Sequence, residues 1–313
     1  MKIRTTPLPG FENERVNTAL LLAAGTGSRL SPLTDMTPKC LVSVNEISIL
    51  ERLIHSLQVH NFKRLVVVVG HQADCIRSFL GTRAGGMEIT YITSPLYKTT
   101  NNIYSLWLAR KAIDGPFLLI ESDLVFDPEM LTDMLYPDRI AVAGLQPCMN
   151  GTTVTISNCW EIEAFYCGAH KHDDNHYKTV NIYSLSTKTW QLVRERLDRH
   201  ISNNMVNGYY ETVFAEMVNE GCLSFTPVFF DVNRWYEIDT IADLRAAEHV
   251  CGLHHHPPVI ATDRMVSNPK GLGYPSASMR LRLKAIDRIK RDSRRHPVSK
   301  VSAPMMSASM LPQ

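Results

Sequence analysis

The sequence predicts an α/β fold in which a doubly wound, mostly parallel sheet carries helices on both faces. Apolar runs closed by glycine or acidic residues alternate with segments whose apolar residues recur at helical spacing. Some runs, such as Leu65-Val-Val-Val-Val69, are continuously apolar, which is typical of parallel strands buried on both faces. Regular alternation of strand and helix then predicts neighbouring parallel strands joined by crossover connections.

The first half of the chain supplies most of this sheet. Apolar residues at helical spacing predict an amphipathic helix over residues 47–60 and a second over 102–113. Apolar and β-branched runs predict strands at 18–24, 65–69, 88–93, 117–120 and 140–143.

From residue 151 the pattern changes to short strands around turns, which predicts a small inserted β-rich region. The elements predicted after residue 150 are strands at 152–156, 162–166, 178–183 and 223–230, helices at 187–200 and 209–220, a Trp-Tyr-Glu-Ile-Asp segment at 235–239 and a last helix at 241–248. Periodicity is lost beyond Gly252. We therefore expect an N-terminal extension at 1–16, a main domain at 17–250 and a basic, Pro/Met/Ser-containing, disordered tail at 251–313.

Charge is unevenly distributed. Residues 280–300 hold nine Lys or Arg against two Asp, so this stretch carries +7 while the whole chain carries +2. The main domain is thus mildly acidic, and we expect no nucleic-acid partner. Seven scattered cysteines suit reduced thiols, no apolar run is long enough for a transmembrane segment and no signal peptide is indicated, so we expect a cytoplasmic protein.

The most informative stretch follows the first predicted strand. It reads Gly25-Thr-Gly-Ser-Arg-Leu-Ser-Pro-Leu-Thr-Asp-Met-Thr-Pro-Lys39. Glycines allow backbone N–H groups to turn toward an anion, and Arg29 and Lys39 add fixed positive charge to the same loop. This combination indicates a binding site for a nucleoside triphosphate.

Two aspartates are candidates for a metal site. Asp123 follows the strand at 117–120, at the end of a parallel sheet where ligands bind, and Asp239 precedes the last helix. Mg²⁺ prefers one or two carboxylates together with phosphate oxygens and water. The competing interpretation is that Asp123 caps a turn before Pro128 and Asp239 caps the helix after it.

The complete Gly25–Lys39 pattern resembles the signature loop of the nucleotidyltransferases that make sugar nucleotides and CDP-activated head groups. This resemblance runs over about residues 17–248 and implies a Rossmann-like, nucleotide-diphospho-sugar transferase-like fold. It implies that Asp123 and Asp239 hold Mg²⁺, and that Arg29 and Lys39 contact phosphates as catalytic residues. The residues expected to bind the nucleotide are Ala23, Ala24, Gly25, Thr26, Gly27, Ser28, Gly70, Ser94, Asn102 and Ser105.

Within that family the chain departs from the sugar-nucleotide branch, which has a Gln-x-x-Pro-x-Gly-type stretch where this chain has 94–107. The segments at 101–105, 177–183, 208–211 and 235–239 resemble the phosphocholine and phosphonate cytidylyltransferases. The resemblance implies transfer of CMP from CTP to a small phosphonate, with 2-aminoethylphosphonate favoured. The acceptor oxygen would attack the Mg-bound α-phosphate in line, and pyrophosphate would leave.

Acceptor binding is assigned to four residues. Lys178 is expected to hold the anionic end and to act as a catalytic residue with Arg29 and Lys39, and Glu211 with Tyr209 and Tyr210 is expected to hold a cationic amine. A solvated lysine and tyrosines that merely pack are the competing interpretations.

Other functions stay open at this point. The acceptor could be phosphocholine, hydroxyethylphosphonate, another phosphomonoester or a sugar 1-phosphate. The chain could instead be a non-catalytic nucleotide-binding regulator, or act through its basic tail on an acidic surface. A homodimer is also left open.

Overall fold

The computed structural model describes residues 15–146, 149–168 and 175–251. Its strands are Thr18–Ala23 (β1), Ser43–Val44 (β2), Ile47–Ser48 (β3), Arg64–Val69 (β4), Arg83–Ala84 (β5), Met87–Thr93 (β6), Phe117–Glu121 (β7), Leu124–Phe126 (β8), Arg139–Gly144 (β9), Thr153–Ile156 (β10), Ile162–Tyr166 (β11), His176–Leu185 (β12), Thr226–Phe230 (β13) and Trp235–Glu237 (β14). Its α-helices are Ile49–Val59 (α1), Ala73–Leu80 (α2), Asn102–Ala109 (α3), Thr187–Ser202 (α4), Tyr210–Asn219 (α5) and Ile241–Cys251 (α6). Short 3₁₀ segments occupy Ser28–Leu30, Lys39–Leu41 and Pro128–Leu135.

The centre of the main sheet is parallel, in the order β7-β1-β4-β6. Antiparallel β12 extends this centre beside β7, and it also pairs with β10 and β9. The carboxyl ends of β1, β4, β6 and β7 therefore lie along one edge, which is where open α/β sheets bind ligands. The predicted α/β fold with a mostly parallel centre is confirmed.

Alternate residues of the central strands face two separate cores, which is the doubly wound arrangement. Leu21 and Val67 pack with helices α1 and α2 on one face. Leu20 and Val66 pack with α3, α4 and α5 on the other face. Continuous apolar strands are needed because neither face of the sheet meets water.

Several local differences from the predicted elements have clear causes. Residues 47–48 pair with β2 instead of starting the helix, because Ser48 caps α1 by accepting a hydrogen bond from the Glu51 amide at 3.1 Å. Helix α2 was not predicted, since it spans only eight residues and buries two of them, Ile76 and Leu80. The predicted helix at 102–113 ends at Ala109.

The predicted division into extension, domain and tail stays a prediction, because residues 1–14 and 252–313 lie outside the described ranges. None of the described helices has the length and hydropathy that crossing a bilayer requires.

Candidate active site

The loop after β1 is shaped around Gly27. This residue has φ +63°, and a Cβ placed on it would lie 3.1 Å from Lys39 Cβ and 3.2 Å from Thr34 Cγ2. The Thr34 hydroxyl donates to the Gly27 carbonyl at 2.8 Å, so the loop closes on itself directly beside Lys39. Gly25 has open space around it, with no atom within 4 Å of an added Cβ.

We predict that Gly27→Ala destabilises the chain by about 1–2 kcal/mol, because alanine is strained at positive φ and its methyl group would crowd Lys39. Urea unfolding measures this difference. Gly115→Ala is the matched control: an added Cβ there meets nothing within 4 Å and its φ is not positive. Equal stability of the two variants would contradict the assigned role of Gly27.

Two cations and two carboxylates meet at the carboxyl edge of the sheet. Lys39 Nζ donates to Asp123 Oδ2 and to Asp239 Oδ1, both at 2.7 Å. Arg29 also donates to Asp239 Oδ1 at 2.7 Å, with its own side chain 67% exposed. Lys39 and Asp239, which are 200 positions apart and were expected in one site, are thus in direct contact. Burial alone would lower the pKa of Lys39, but the two carboxylates outweigh it and raise this pKa above its ordinary value.

Neither aspartate is used as a helix cap. Asp127 caps the 3₁₀ segment that starts at Pro128, by accepting from the Glu129 amide at 3.0 Å. Asp243 accepts from the amides of Asp239 and Thr240 at the start of α6. The competing interpretation of both candidates as caps is therefore excluded, and their carboxylates pair with Lys39 and Arg29 instead.

The arrangement fits a magnesium ion. Asp123 Oδ1 is buried and has no hydrogen-bond partner among the described residues. A buried carboxylate oxygen without a partner is costly unless a ligand uses it. No group of three or more His, Cys, Asp or Glu that could hold a metal occurs in the described ranges. Two carboxylates completed by substrate phosphates are a donor set that Mg²⁺ prefers.

A second polar cluster lies beside the first and contains Lys178. This side chain is 1% exposed, lies 3.3 Å from Glu237 Oε2 and donates to the Thr179 carbonyl at 2.8 Å. Asn181 donates to the other Glu237 oxygen at 3.2 Å. Lys178 is therefore buried and paired, so the alternative of a solvated lysine does not hold.

Glu211 belongs to the same cluster and is almost fully buried. Burial raises the pKa of its carboxyl to about 7, and the nearby Glu237 adds to the shift, although the Glu211 backbone amide and Lys178 partly oppose it. Its Oε2 has no hydrogen-bond partner in the described part of the chain. Glu121, at the end of β7, has a pKa well above its ordinary value because of burial and repulsion from Asp123 and Glu211. We call Glu121, Lys178, Glu211 and Glu237 the acidic cluster.

The two predicted tyrosines have different environments. Tyr210 is buried, with its ring centroid 5.7 Å from that of Tyr183 and 5.4 Å from that of Phe214. Tyr209 is 55% exposed, just ahead of α5. Tyr210 is therefore part of the core beside the acidic cluster, and Tyr209 alone offers an exposed aromatic face.

Asn102 is more than a helix cap. Asn101 fills that role, by accepting from the Asn102 amide at 2.8 Å. Asn102 instead donates to Glu121 at 3.0 Å and accepts from the Tyr210 amide at 3.0 Å, which ties α3 to β7 and α5. Ser105 is buried one turn further along the helix.

An open cleft of about 560 Å³ lies next to the glycine loop. Its walls include Thr26, Gly70 and Tyr97. A Cβ on Gly70 would come within 2.7 Å of both the Ala24 carbonyl oxygen and Tyr97 Cβ, so this position has room only for glycine. Ser94 follows β6 and has a buried hydroxyl without a partner in the described ranges. Ala23 is the last residue of β1, and Ala24 follows it. Ser28 begins the first 3₁₀ segment.

Sequence reasoning did not assign Glu121, Asn181 and Glu237. A signal was present for two of them, because Glu121 ends the same strand that leads to Asp123, and Glu237 stands two residues before Asp239. Asn181 gave no such signal. It has φ +59° within β12, at a register shift against β9, and only the folded strand shows this.

Residues 18–139 match the nucleotidyl transferase family. The CMP-5'-(3-aminopropyl)phosphonate synthase of Streptomyces rubellomurinus is 31% identical over 242 residues, which are 74% of this chain and 38% of that protein. This chain thus spans well under half the length of that relative. The 2-aminoethylphosphonate cytidylyltransferase of Lancefieldella rimae is 27% identical, over 77% of this chain and 95% of that protein.

Among solved structures, the CTP:phosphocholine cytidylyltransferase of Streptococcus pneumoniae superposes with a TM-score of 0.64. The superposed residues are 75% of this chain and 99% of the Streptococcus protein, and 22% of them are identical. The likeness therefore concerns the fold alone. The fold of the described residues agrees with this likeness. Residues 18–139 therefore match the nucleotidyl transferase family, and the relatives of this chain include cytidylyltransferases.

Proposed function

We propose that this chain is a cytidylyltransferase that joins CMP from CTP to a small phosphonate, with 2-aminoethylphosphonate as the favoured acceptor, and releases pyrophosphate. The observation that carries the proposal is the contact of Arg29 and Lys39 with Asp123 and Asp239 beside the glycine loop. The acidic cluster next to it supports an acceptor that carries a positive charge. The names of the Streptomyces and Lancefieldella relatives support a phosphonate.

CTP is proposed to bind along the carboxyl edge of the sheet. The backbone from Ala23 to Ser28 would receive the triphosphate, and the cleft beside Gly70 would receive the base. Ser94, Asn102 and Ser105 follow or lie close to the same edge and are proposed for base and ribose contacts. Arg29 and Lys39 would hold phosphate oxygens, and Arg29, the more exposed, would accompany the departing pyrophosphate.

The reaction needs positioning more than a strong base. A phosphonate oxygen attacks the α-phosphorus of CTP in line, the bond to the β-phosphate oxygen breaks, and pyrophosphate leaves. The acceptor is already ionised near neutral pH, so no residue has to remove a proton from it. Mg²⁺, when held by Asp123 and Asp239, would offset negative charge on the phosphates.

The acidic cluster is the proposed acceptor site. Glu211 offers a carboxylate oxygen without a partner in the described chain, and we propose that it receives the amine, with Tyr209 at the exposed side. Tyr210 shapes the wall through its packing on Tyr183. Lys178 is kept as the candidate for the anionic end of the acceptor, held in place by Glu237.

Pyrophosphate release with Mg²⁺ and CTP tests the proposal. The acceptors to compare are 2-aminoethylphosphonate, hydroxyethylphosphonate, phosphocholine and glucose 1-phosphate, each also with UTP. Release with CTP and a phosphonate is expected. Release with phosphocholine alone would indicate a phosphocholine cytidylyltransferase. Release with glucose 1-phosphate alone would indicate a sugar nucleotidyltransferase. Tight CTP binding without release for any acceptor would favour a non-catalytic regulator.

We predict that Glu211→Gln raises the KM for 2-aminoethylphosphonate about ten- to one-hundred-fold, because the amine loses a charge-assisted hydrogen bond. Hydroxyethylphosphonate, which has no amine, serves as the control, and its KM should change less than about two-fold. Steady-state kinetics with both acceptors measures the difference. Equal effects on both would contradict the assignment of Glu211 to the amine.

The same assignment has a pH signature. The pKa of Glu211 is about 7, so its carboxylate forms as pH rises from about 6 to about 8, and binding of the amine should improve over that range. The ionisable groups around it include Lys178, Glu237, Glu121, Tyr183, Tyr210 and Cys167. The measurement is the ratio of the KM for 2-aminoethylphosphonate to the KM for hydroxyethylphosphonate, which should fall over that pH range. Taking the ratio cancels the effect of phosphonate ionisation, which both acceptors share.

The location and the oligomeric state of the protein are also proposals. The five cysteines characterised in the structure are free thiols, which supports the cytoplasm as the location. A homodimer is proposed without a defined interface.

A further inference from the structure

We propose that Lys39 is the built-in counter-cation of the two aspartates and that it must change partners before a divalent cation can bind there. The inference rests on the proposed function, because it concerns the same two carboxylates. Lys39 Nζ is bonded at 2.7 Å to one oxygen of each aspartate, so it occupies acceptor oxygens that the proposal assigns to Mg²⁺.

The charges of the two aspartates and the two cations that contact them balance without a metal ion. Asp123 and Asp239 contribute two negative charges, and Lys39 and Arg29 contribute two positive charges. A divalent cation that entered with Lys39 and Arg29 still in place would leave these groups with an excess of two positive charges, although only Arg29 is largely exposed. Repulsion between such charges at contact distance amounts to several kcal/mol even with the effective dielectric constant of a protein surface.

Lys39 cannot simply move into water. Its side chain is 13% exposed, and Cβ lies against the position that a Cβ on Gly27 would take. The Val42 amide donates to the Lys39 carbonyl at 3.0 Å, which fixes the backbone of the 3₁₀ segment. Only the long side chain is free to swing, and it requires another anion as its destination.

The triphosphate supplies that anion. When nucleotide phosphates lie along the glycine loop, Lys39 can exchange carboxylate oxygens for phosphate oxygens, and both aspartates then become available. The free divalent cation is therefore a weak ligand, and the cation and the nucleotide bind tightly only together. This coupling protects the site from loading with metal in the absence of substrate.

Binding of Mn²⁺, followed by electron paramagnetic resonance in the absence of nucleotide, tests the exchange directly. Lys39→Met is expected to bind Mn²⁺ at least about ten-fold more tightly than the parent chain, since the competing ammonium is gone. Lys63→Met is the matched control, because Lys63 is exposed and directly precedes β4, at the end of that strand away from the site. The Mn²⁺ affinity of this variant should equal that of the parent chain.

Asp123→Asn separates the two ways in which the account can fail. If this variant bound Mn²⁺ as tightly as the parent chain, the assignment of Asp123 to the metal site would be wrong, and the proposed function would fail with it. Loss of binding in Asp123→Asn together with unchanged affinity in Lys39→Met would overturn the exchange alone. Should Lys39→Met fail to fold, Lys39→Gln gives the same comparison, because it removes the charge while keeping a hydrogen-bond donor.

Discussion

Asp123→Asn is expected to lower kcat for CMP transfer about 10²–10³-fold while the chain stays folded. Asparagine has nearly the same shape, so packing is kept, but it cannot offer a charged oxygen to a metal ion. The substitution weakens one of the two ion pairs of Lys39, but Lys39 keeps its bond to Asp239 at 2.7 Å, so we expect the chain to stay folded. Initial rates of pyrophosphate release measure the loss, and thermal unfolding should show a midpoint within about 5 °C of the parent.

Asp127→Asn is the matched control for this prediction. The residue is near Asp123 in sequence, caps the 3₁₀ segment and bonds Arg234 at 2.7 Å, whereas Asp123 bonds Lys39. We expect it to keep at least about half of the parent activity, since only a surface contact is weakened. If Asp123→Asn were as active as this control, the carboxylate pair would have no part in the reaction.

Lys178→Met is expected to destabilise the chain by about 3 kcal/mol. Methionine fills a similar volume, but it leaves the partly buried Glu237 carboxylate without its cation, and breaking a buried pair from one side is costly. Urea unfolding measures the loss. The double variant Lys178→Met with Glu237→Gln should recover most of it, because no unpaired charge is then left.

The loss should also depend on pH. Burial raises the folded-state pKa values of Glu211 and Glu237 above 4.5, and the positive charge of Lys178 partly lowers both. Without Lys178 these pKa values rise further, so the folded state binds more protons than the unfolded state and stability falls as pH increases above about 4.5. The destabilisation should therefore be larger near pH 8 than near pH 6. A loss that does not vary with pH, and that persists in the double variant, would show that Lys178 acts through packing alone.

The sequence predicted the parts of the site that depend on strand order. Asp123 follows a strand of the parallel sheet and Gly25 follows another, and parallel strands bring their carboxyl ends together. The direct contact of Lys39 with both Asp123 and Asp239 agrees with their joint assignment from the motif. The specific role of each of these residues stays a prediction.

The surroundings of Lys178 could not be predicted in the same way. Periodicity places this residue on a strand but does not say what covers it, and its burial depends on β10, β9 and Glu237 from distant parts of the chain. Asn181 holds Glu237 from a backbone conformation at positive φ, which no spacing of residues indicates. Helix α2 was missed because its eight residues are shorter than the window of about 11–18 residues over which helical periodicity is recognised.

The most direct test of the account follows the oxygen atoms of the acceptor. 2-Aminoethylphosphonate labelled with ¹⁸O in its phosphonate group is incubated with CTP, Mg²⁺ and the protein, and the products are resolved by ³¹P NMR. The account predicts a CMP–phosphonate anhydride that carries ¹⁸O in the bridge, together with unlabelled pyrophosphate. Labelled pyrophosphate, CMP without the phosphonate, or no product at all would contradict attack of the acceptor oxygen on the α-phosphorus.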